Sequence, residues 1–140
     1  MISILLENVV IPSATHQKKK LASFAGRARM YDSKDLTSAK QWWTAMLAPH
    51  RPQEPLSGPL WLILTIHYPH NKSTRKRDLQ REIPKTSKPD CDNLSKTVTD
   101  IMATLGFFAD DAQIAELWVS KKWAPTGSVS IQLKELSLGD

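Results

Sequence analysis

The sequence predicts an α+β fold: a single domain over residues 1–140, in which a mixed β-sheet packs against two main helices in the order β-α-β-α-β-β. Three observations support this prediction. The chain is long enough for one core, and its 41% hydrophobic and 24% charged residues are typical of a globular protein. Segments with the apolar period of a helix alternate with segments that have the period of a strand. Proline and glycine residues separate these segments.

The first half of the chain is predicted to contain a strand, a helix and a second strand. Residues 2–11 have a strand pattern that Pro12 closes, and a basic loop is expected from there to about residue 30. Asp32 or Ser33 can cap a helix that runs to about Leu47. Residues 60–68 are apolar on both faces, which predicts a central strand covered on both sides.

The second half is predicted to contain a helix and two strands after a further basic loop. The helix is expected to start at Asp92 or Asn93 and to end near Leu105, because Gly106 suits the position after a helix C-terminus. Strands are predicted at about residues 113–123 and 128–136, with a turn between them.

The net charge of +5 is concentrated in two segments. Residues 16–29 contain no acidic residue, and Asp78 and Glu82 are the only acidic residues within residues 71–88. Two basic loops that can meet on one face predict nucleic-acid binding, although two merely solvated loops would have the same composition. The candidate DNA-contacting residues are Lys18, Lys19, Lys20, Arg27, Arg29, Lys72, Arg75, Lys76, Arg77, Arg81, Lys85 and Lys88.

The compartment is inferred from the cysteine content and the hydropathy. Cys91 is the single cysteine, so no intramolecular disulfide can form, which fits a reducing cytoplasm. No apolar run approaches the roughly 18 to 20 residues that a membrane span needs. Residues 2–6 are apolar, but Glu7 interrupts them and no basic region precedes them, so they predict a strand and not a signal peptide. We therefore expect a cytoplasmic protein without membrane association.

Acidic residues gather at the start of the second predicted helix. Asp90 and Asp92 would point the same way in an extended segment, and Lys96 and Asp100 would continue the helix face above Asp92. The pair Asp110-Asp111 follows the helix, and one of the two could return to its first turn. Each part alone is also an ordinary turn or helix cap, so the prediction of a site depends on the combination.

This combination of residue types is typical of a divalent-cation site for phosphodiester cleavage. Mg²⁺ prefers one or two carboxylates together with waters and substrate oxygens. Such an ion positions and activates the attacking water and neutralises the phosphate. A nearby lysine can stabilise the added charge of the transition state. The four histidines have no paired spacing for zinc.

The run Asp90-Cys91-Asp92-Asn93-Leu94-Ser95-Lys96, then Asp100, then Gly106-Phe107-Phe108-Ala109-Asp110-Asp111-Ala112-Gln113, closely resembles the RusA family. Members of that family are Holliday junction resolvases associated with phages and prophages. The resemblance covers residues 88–122 well. It extends more weakly to Gly26-Arg27-Ala28-Arg29, which is similar to a basic motif after the family's first strand.

The resemblance implies a role for each matching residue. Asp90, Asp92 and Asp111 would be the catalytic carboxylates that bind Mg²⁺, for which Mn²⁺ can substitute, and Lys96 would be the catalytic lysine. Supporting roles would fall to Asn93, Asp100 and Asp110. The family is dimeric, so a homodimer cutting opposing strands of branched, four-way DNA is implied as well.

Two other functions compete with a junction-resolving endonuclease. A non-catalytic nucleic-acid-binding module would use the same basic loops, and its carboxylates would serve only as helix caps, without metal dependence. A Mg²⁺-dependent RNA nuclease or phosphatase would keep the site and change the substrate. The Phe107-Phe108 pair allows two interpretations as well: a wedge that opens a junction, or an anchor between the helix end and the core.

Overall fold

The computed structural model describes the backbone of residues 1–15, 19–24 and 27–137, and the side chains of residues 1–15 and 33–137. It confirms the α+β class, with a mixed five-stranded sheet and two main helices. The elements are β1 (Ile2–Glu7), β2 (Lys19–Phe24), β3 (Arg27–Asp32), α1 (Lys34–Leu47), β4 (Leu60–Pro69), β5 (Ile83–Pro84), α2 (Cys91–Leu105), β6 (Ile114–Ala124) and β7 (Ser128–Glu135).

The main sheet has five strands in the order β1-β7-β4-β6-β5. β4 pairs with β7 antiparallel and with β6 parallel. The parallel pair is possible because α2 lies in the connection between β4 and β6, and a parallel pair needs such a crossover. This crossover brings the start of β6 back beside α2, where the acidic residues lie.

The core lies between one face of this sheet and the two helices. Alternate residues of β4 and β7 point into it, as the period of a strand requires. The helices contribute apolar residues at helical spacing, and Ser33 caps α1 by accepting a hydrogen bond from the backbone N–H of Leu36 at 3.2 Å. The largest fully buried side chains of the described chain include Trp43, Leu62, Leu64, Leu94, Met102, Phe107 and Phe108.

Three predicted elements are corrected. The first strand ends at Glu7 and not at residue 11, because Asn8 takes a left-handed conformation with φ of 54°. The segment expected to be a basic loop up to residue 30 contains the antiparallel pair β2–β3, which forms a separate two-stranded sheet. α2 begins at Cys91, earlier than predicted, so Asp92 lies inside the helix.

The prediction that β4 is covered on both faces is wrong. Its even-numbered residues from Leu60 to Ile66 are fully buried, whereas its odd-numbered residues are half-buried. The second face of the sheet carries Trp61 and Trp118, whose rings meet edge to face with centroids 4.9 Å apart. Trp118 remains 59% exposed. The helices therefore cover one face of the sheet only.

Candidate active site

Helix α2 places three of the predicted residues on one face. Asp92, Lys96 and Asp100 are spaced by four residues, which aligns them along a helix. Lys96 Nζ lies 3.1 Å from Asp100 Oδ1. Because this spacing is a local property of the helix, the sequence predicted the alignment of these three residues correctly.

Asp111 reaches the same face from the turn that follows the helix. Gly106 ends α2 in a left-handed conformation, with φ of 87°, and the next two residues, Phe107 and Phe108, are buried in the core. This anchored turn leads to Asp111, whose Oδ2 lies 3.2 Å from Lys96 Nζ. The burial of both rings confirms the anchor and excludes the predicted wedge.

The side chains of Asp92, Lys96 and Asp111 line one open pocket of about 260 Å³. Ser95 and Thr99 form its hydroxyl-bearing side, and Ile114 and Leu117 at the start of β6 form its apolar side. The pocket thus presents two carboxylates and one ammonium group to a ligand that enters from solvent. A phosphate group with a bound cation matches this pattern of charges.

Lys96 is held in its charged form. Its hydrogen bond to Asp100, followed by that to Asp111, raises the pKa of the ammonium group above its ordinary value of 10.5. Lys96 therefore carries a fixed positive charge in the pocket at neutral pH. This charge can offset the repulsion between a phosphodiester and the surrounding carboxylates.

Asp90 occupies the N-cap position of α2 without capping it. Its backbone is extended, with φ of −71° and ψ of 150°, and its side chain makes no capping hydrogen bond. The carboxylate forms an ion pair with Lys88 instead, with Nζ 2.8 Å from Oδ2. It does not line the pocket formed by Asp92 and Asp111. The predicted i,i+2 alignment of Asp90 and Asp92 is wrong, because only Asp90 is extended and Asp92 belongs to the first helical turn.

The donor set fits the chemistry of Mg²⁺, although no complete cage is present among the described side chains. Asp92 and Asp111 offer hard oxygen ligands in one pocket, and one or two carboxylates with waters and substrate oxygens suffice for Mg²⁺. Within residues 1–15 and 33–137, no three His, Cys, Asp or Glu residues are grouped around a common metal position. Asp90, at the adjacent helix N-terminus, would be the third carboxylate.

The supporting residues Asn93 and Asp110 have structural positions. Asn93 is only 3% exposed and does not line the pocket. Asp110 caps the 3-10 turn Asp111–Gln113 by accepting a hydrogen bond from the N–H of Ala112 at 2.9 Å. This hydrogen bond lowers the pKa of the Asp110 carboxyl below its ordinary value. Asp110 therefore shapes the turn that carries Asp111.

Gln113 is a residue of this region that the sequence did not single out. Its Oε1 accepts hydrogen bonds from the N–H groups of Ala109 and Asp110, at 2.9 and 3.1 Å. Its Nε2 donates to the carbonyls of Leu56 and Gly58, both at 3.1 Å. One side chain thus ties the turn before Asp111 to a segment more than 50 residues earlier. The sequence signal that could have identified Gln113 is its place at the end of the run Gly106-Phe107-Phe108-Ala109-Asp110-Asp111-Ala112-Gln113.

Most candidate DNA-contacting residues after β4 are exposed: Lys72, Arg75, Lys76, Arg77, Arg81 and Lys88. Lys85 is the exception. It is 7% exposed, and its ammonium group donates hydrogen bonds to Ser87 and Lys88, so the prediction that it contacts DNA is wrong. The side chains of Lys19, Lys20, Arg27 and Arg29 lie outside the described part of the structure, as does Lys18 entirely.

The segment after β4 is held together by its own hydrogen bonds. His70 Nε2 lies 2.8 Å from the carbonyl oxygen of Arg81, which closes the segment at its base. Asn71 Oδ1 accepts from the N–H of Ser73 at 3.0 Å, and Arg81 forms an ion pair with Asp78 at 3.3 Å. The basic side chains are therefore displayed on a folded loop.

None of the helices in the described parts of the chain is long and apolar enough to cross a membrane.

Comparison with known proteins agrees with the resemblance of the motif. The chain is 29% identical over 122 residues to the crossover junction endodeoxyribonuclease rusA of Lactococcus phage r1t, covering 87% of this chain and 89% of that protein. It is 29% identical over 118 residues to the uncharacterized protein YqaN of Bacillus subtilis strain 168, covering 80% and 82% respectively.

The family described as endodeoxyribonuclease RusA matches residues 10–134. This range contains both parts of the acidic motif, both main helices and the strands β4 to β6. The chain therefore belongs to the RusA family of endodeoxyribonucleases.

Proposed function

We propose that this protein resolves four-way DNA junctions by Mg²⁺-dependent hydrolysis of one phosphodiester on each of two opposing strands. The observation that carries the proposal is the meeting of Asp92, Lys96 and Asp111 in one open pocket, with Asp90 at the adjacent helix start. The phage relative, which is named as a crossover junction endodeoxyribonuclease, supports branched DNA as the substrate.

Each pocket residue has a role in this reaction. Asp92 and Asp111, with Asp90, would hold the metal ion, which supplies a nucleophilic water at neutral pH and neutralises the scissile phosphate. Lys96 would place its ammonium group beside the phosphate oxygens, where negative charge increases in the transition state. Asp100 holds Lys96 in this orientation through the ion pair of 3.1 Å.

The positions of the carboxylates count against a module in which they are only helix caps. Two of the acidic residues occupy N-cap positions. Asp110 makes a capping hydrogen bond in the 3-10 turn, and Asp90 makes none at the start of α2. Asp92 and Asp111 instead line an open pocket together with Lys96. Capping thus explains one of the predicted acidic residues and leaves the pocket unexplained.

The basic residues after β4 would bind the DNA arms. Six of them are exposed on a loop that precedes Asp90 directly in sequence. Phosphate contacts of this kind give affinity without sequence preference, so they suit recognition of a branched shape.

We further propose a homodimer, because two cuts on opposing strands require two active sites. The open face of the sheet supports this part of the proposal, since Leu5 is 60% exposed and Trp118 is 59% exposed on it. Sedimentation of the protein alone tests the dimer, and a monomer at working concentrations would contradict it.

The test of the whole proposal uses a mobile synthetic four-way junction, labelled on each strand in turn and incubated with Mg²⁺ or with EDTA. We expect paired, symmetric nicks that need Mg²⁺ and leave ligatable duplexes. Tight binding without nicks in either condition would replace the nuclease by a binding module. Equal cleavage of linear duplex or of RNA would refute the substrate assignment.

A further inference from the structure

The segment of residues 87–89, between β5 and α2, is fixed by two lysine side chains. Lys121 Nζ donates to the carbonyl of Ser87 at 2.5 Å and to that of Pro89 at 2.7 Å. Lys85 Nζ donates to the carbonyl of Lys88 at 2.7 Å and to the hydroxyl of Ser87 at 2.6 Å. Every carbonyl of this short segment therefore accepts a hydrogen bond from an ammonium group.

Both lysines are anchored on the sheet. Lys121 belongs to β6 and is paired with the buried Ile66 of β4. The N–H of Lys85 donates to the carbonyl of Lys121 at 3.1 Å, and its ammonium group lies 4.3 Å from the centre of the Trp123 ring. A rigid strand thus supports the two ammonium groups, and the groups support the segment.

This arrangement is unusual for two lysines. In the described part of the chain, neither forms an ion pair with a carboxylate. Burial, and secondarily the charge of Lys121, lower the pKa of Lys85 below its ordinary value. Buried charges without partners are unfavourable, so carbonyl groups must supply the compensating interactions. Natural proteins are expected to break such a rule mainly at functional or strained sites.

The segment ends where the acidic site begins. Pro89 directly precedes Asp90, and the carbonyl of Asp90 accepts the first hydrogen bond of α2 from the N–H of Leu94 at 3.0 Å. The hydrogen bond from Lys121 to the carbonyl of Pro89 therefore fixes the peptide unit that joins the segment to Asp90. The direction in which the side chain of Asp90 projects from the backbone depends on the orientation of this peptide unit.

We propose that Lys85 and Lys121 are positioning residues. They hold the segment of residues 87–89 so that Asp90 stays at the N-terminus of α2, where its carboxylate can exchange Lys88 for the metal ion of the proposed nuclease site. The inference rests on the proposed function for the presence of the ion. The two lysines act through backbone carbonyls and touch neither metal nor DNA. Supporting groups of this kind typically change metal affinity by about 10- to 100-fold.

The experiment compares Lys121→Met with Lys122→Met. Lys122 is the next residue of β6, points to the opposite face of the sheet and lies 3.6 Å from Glu82. Binding of Mn²⁺ to the protein without DNA is followed by electron paramagnetic resonance, and the Mg²⁺ concentration for half-maximal cleavage is measured in parallel. Circular dichroism confirms the fold, and Lys121→Arg provides the conservative variant.

We expect Lys121→Met to weaken Mn²⁺ binding and to raise the Mg²⁺ requirement by about tenfold or more. The cleavage rate at saturating Mg²⁺ and the junction affinity in EDTA should stay unchanged. Lys122→Met should resemble the wild type, and Lys121→Arg should restore part of the metal affinity. In an Asp90→Asn background, Lys121→Met should have no further effect on Mn²⁺ binding.

Three outcomes overturn the inference: unchanged metal affinity in folded Lys121→Met, an equal loss in Lys122→Met, or additive losses with Asp90→Asn. Should Lys121→Met destabilise the fold, Lys85→Met provides the same comparison from the other lysine. A wild-type protein that binds Mn²⁺ but cuts no junction refutes the proposed function, and the binding measurements still test the inference. A wild-type protein that binds no Mn²⁺ refutes both.

Discussion

At the scale of single residues, Asp92 is the carboxylate whose role is easiest to isolate. It lies in the first turn of α2 and lines the pocket, and no capping hydrogen bond depends on it. We expect Asp92→Asn to abolish cleavage and to keep or strengthen junction binding, because the change removes a metal ligand and a negative charge near the DNA. Gel-shift and cleavage assays on the same junction measure both effects. Loss of binding by a folded variant would contradict the assignment.

Lys96 differs from the other basic residues because two carboxylates hold it. Its pKa is raised, so it stays protonated at any pH used for assays, and removing it leaves Asp100 and Asp111 without their cation. We expect Lys96→Ala to slow cleavage by about 100-fold or more, the usual effect of losing one transition-state donor, with a much smaller loss of binding. Single-turnover kinetics at saturating protein measure the rate.

The matched control for Lys96 is Lys72→Ala. Lys72 is an exposed lysine of the basic loop, outside the pocket. We expect this control to weaken binding and leave the single-turnover rate intact. Equal losses of rate and binding in Lys96→Ala would make Lys96 a phosphate-binding residue like Lys72.

Asp110 gives a stability effect that depends on pH. The hydrogen bond from the N–H of Ala112 is the main cause that lowers the pKa of its carboxyl below the ordinary value of 3.8. A carboxyl with a lowered pKa stabilises the fold above its unfolded-state pKa, and this contribution is lost as the pH falls through the folded-state value. Asp110→Asn keeps an oxygen acceptor but cannot ionise.

We therefore expect Asp110→Asn to be less stable than the wild type at neutral pH, with a difference that shrinks below about pH 4. Urea unfolding of both proteins at a series of pH values measures the difference. A constant difference down to the most acidic conditions would show that the Asp110 charge does not contribute to the cap.

At the scale of elements, the turn between α2 and β6 determines where Asp111 lies. Gln113 ties this turn to the segment before β4 through four hydrogen bonds. We expect Gln113→Ala to lower the free energy of unfolding by about 1–3 kcal/mol, because these backbone groups lose a partner. Cleavage should fall further than the stability loss explains, since Asp111 moves relative to Lys96.

Gln132→Ala is the control for Gln113→Ala, because Gln132 is a half-buried glutamine of β7 on the open face of the sheet. Thermal unfolding and cleavage at a temperature at which all variants are folded separate the two effects. A Gln113→Ala protein of full activity would show that Asp111 does not need this support.

Helices and strands differ in how far local patterns predict them. Ser33 and the apolar spacing of α1 predicted that helix almost to the residue, because capping and helical periodicity are local. The sequence predicts a basic loop where β2 and β3 pair, because the charged residues of this segment hide the alternation that is typical of a strand. Strand pairing depends on the partner strand, and a single segment does not reveal it.

At the scale of the whole molecule, the exposed basic residues should act together as an electrostatic surface. We expect Arg75→Gln combined with Arg77→Gln to weaken junction binding and to flatten its salt dependence. The slope of log affinity against log salt should decrease by about 0.9 for each DNA phosphate that the protein no longer neutralises. Titrations at several salt concentrations measure the slope.

The control for the two arginines is Arg51→Gln, which changes an exposed basic residue outside both basic segments. It should leave the slope unchanged. If all three arginines contributed equally, the DNA surface would not be centred on the loop after β4. If none contributed, the basic residues of that loop would be solvated and without a role in binding.

The sequence by itself determined the α+β class, the two main helices and the residue types of the site. Asp92, Lys96 and Asp100 could be aligned in advance, because four-residue spacing along a helix is fixed by the backbone. The resemblance to the RusA family rested on the same local motif, and the match over residues 10–134 confirmed it.

Only the tertiary structure decided which of the other residues join the site. The crossover from β4 to β6 brings Asp111 to Lys96, and the early start of α2 separates the directions of Asp90 and Asp92. Lys85 is buried and is therefore not part of the DNA-binding surface, and its ammonium group donates to the carbonyl of Lys88 in the segment before Asp90. The approach of Asp111 to Lys96 and the burial of Lys85 depend on how separate elements pack against one another, and the spacing of residues within one element does not record such packing.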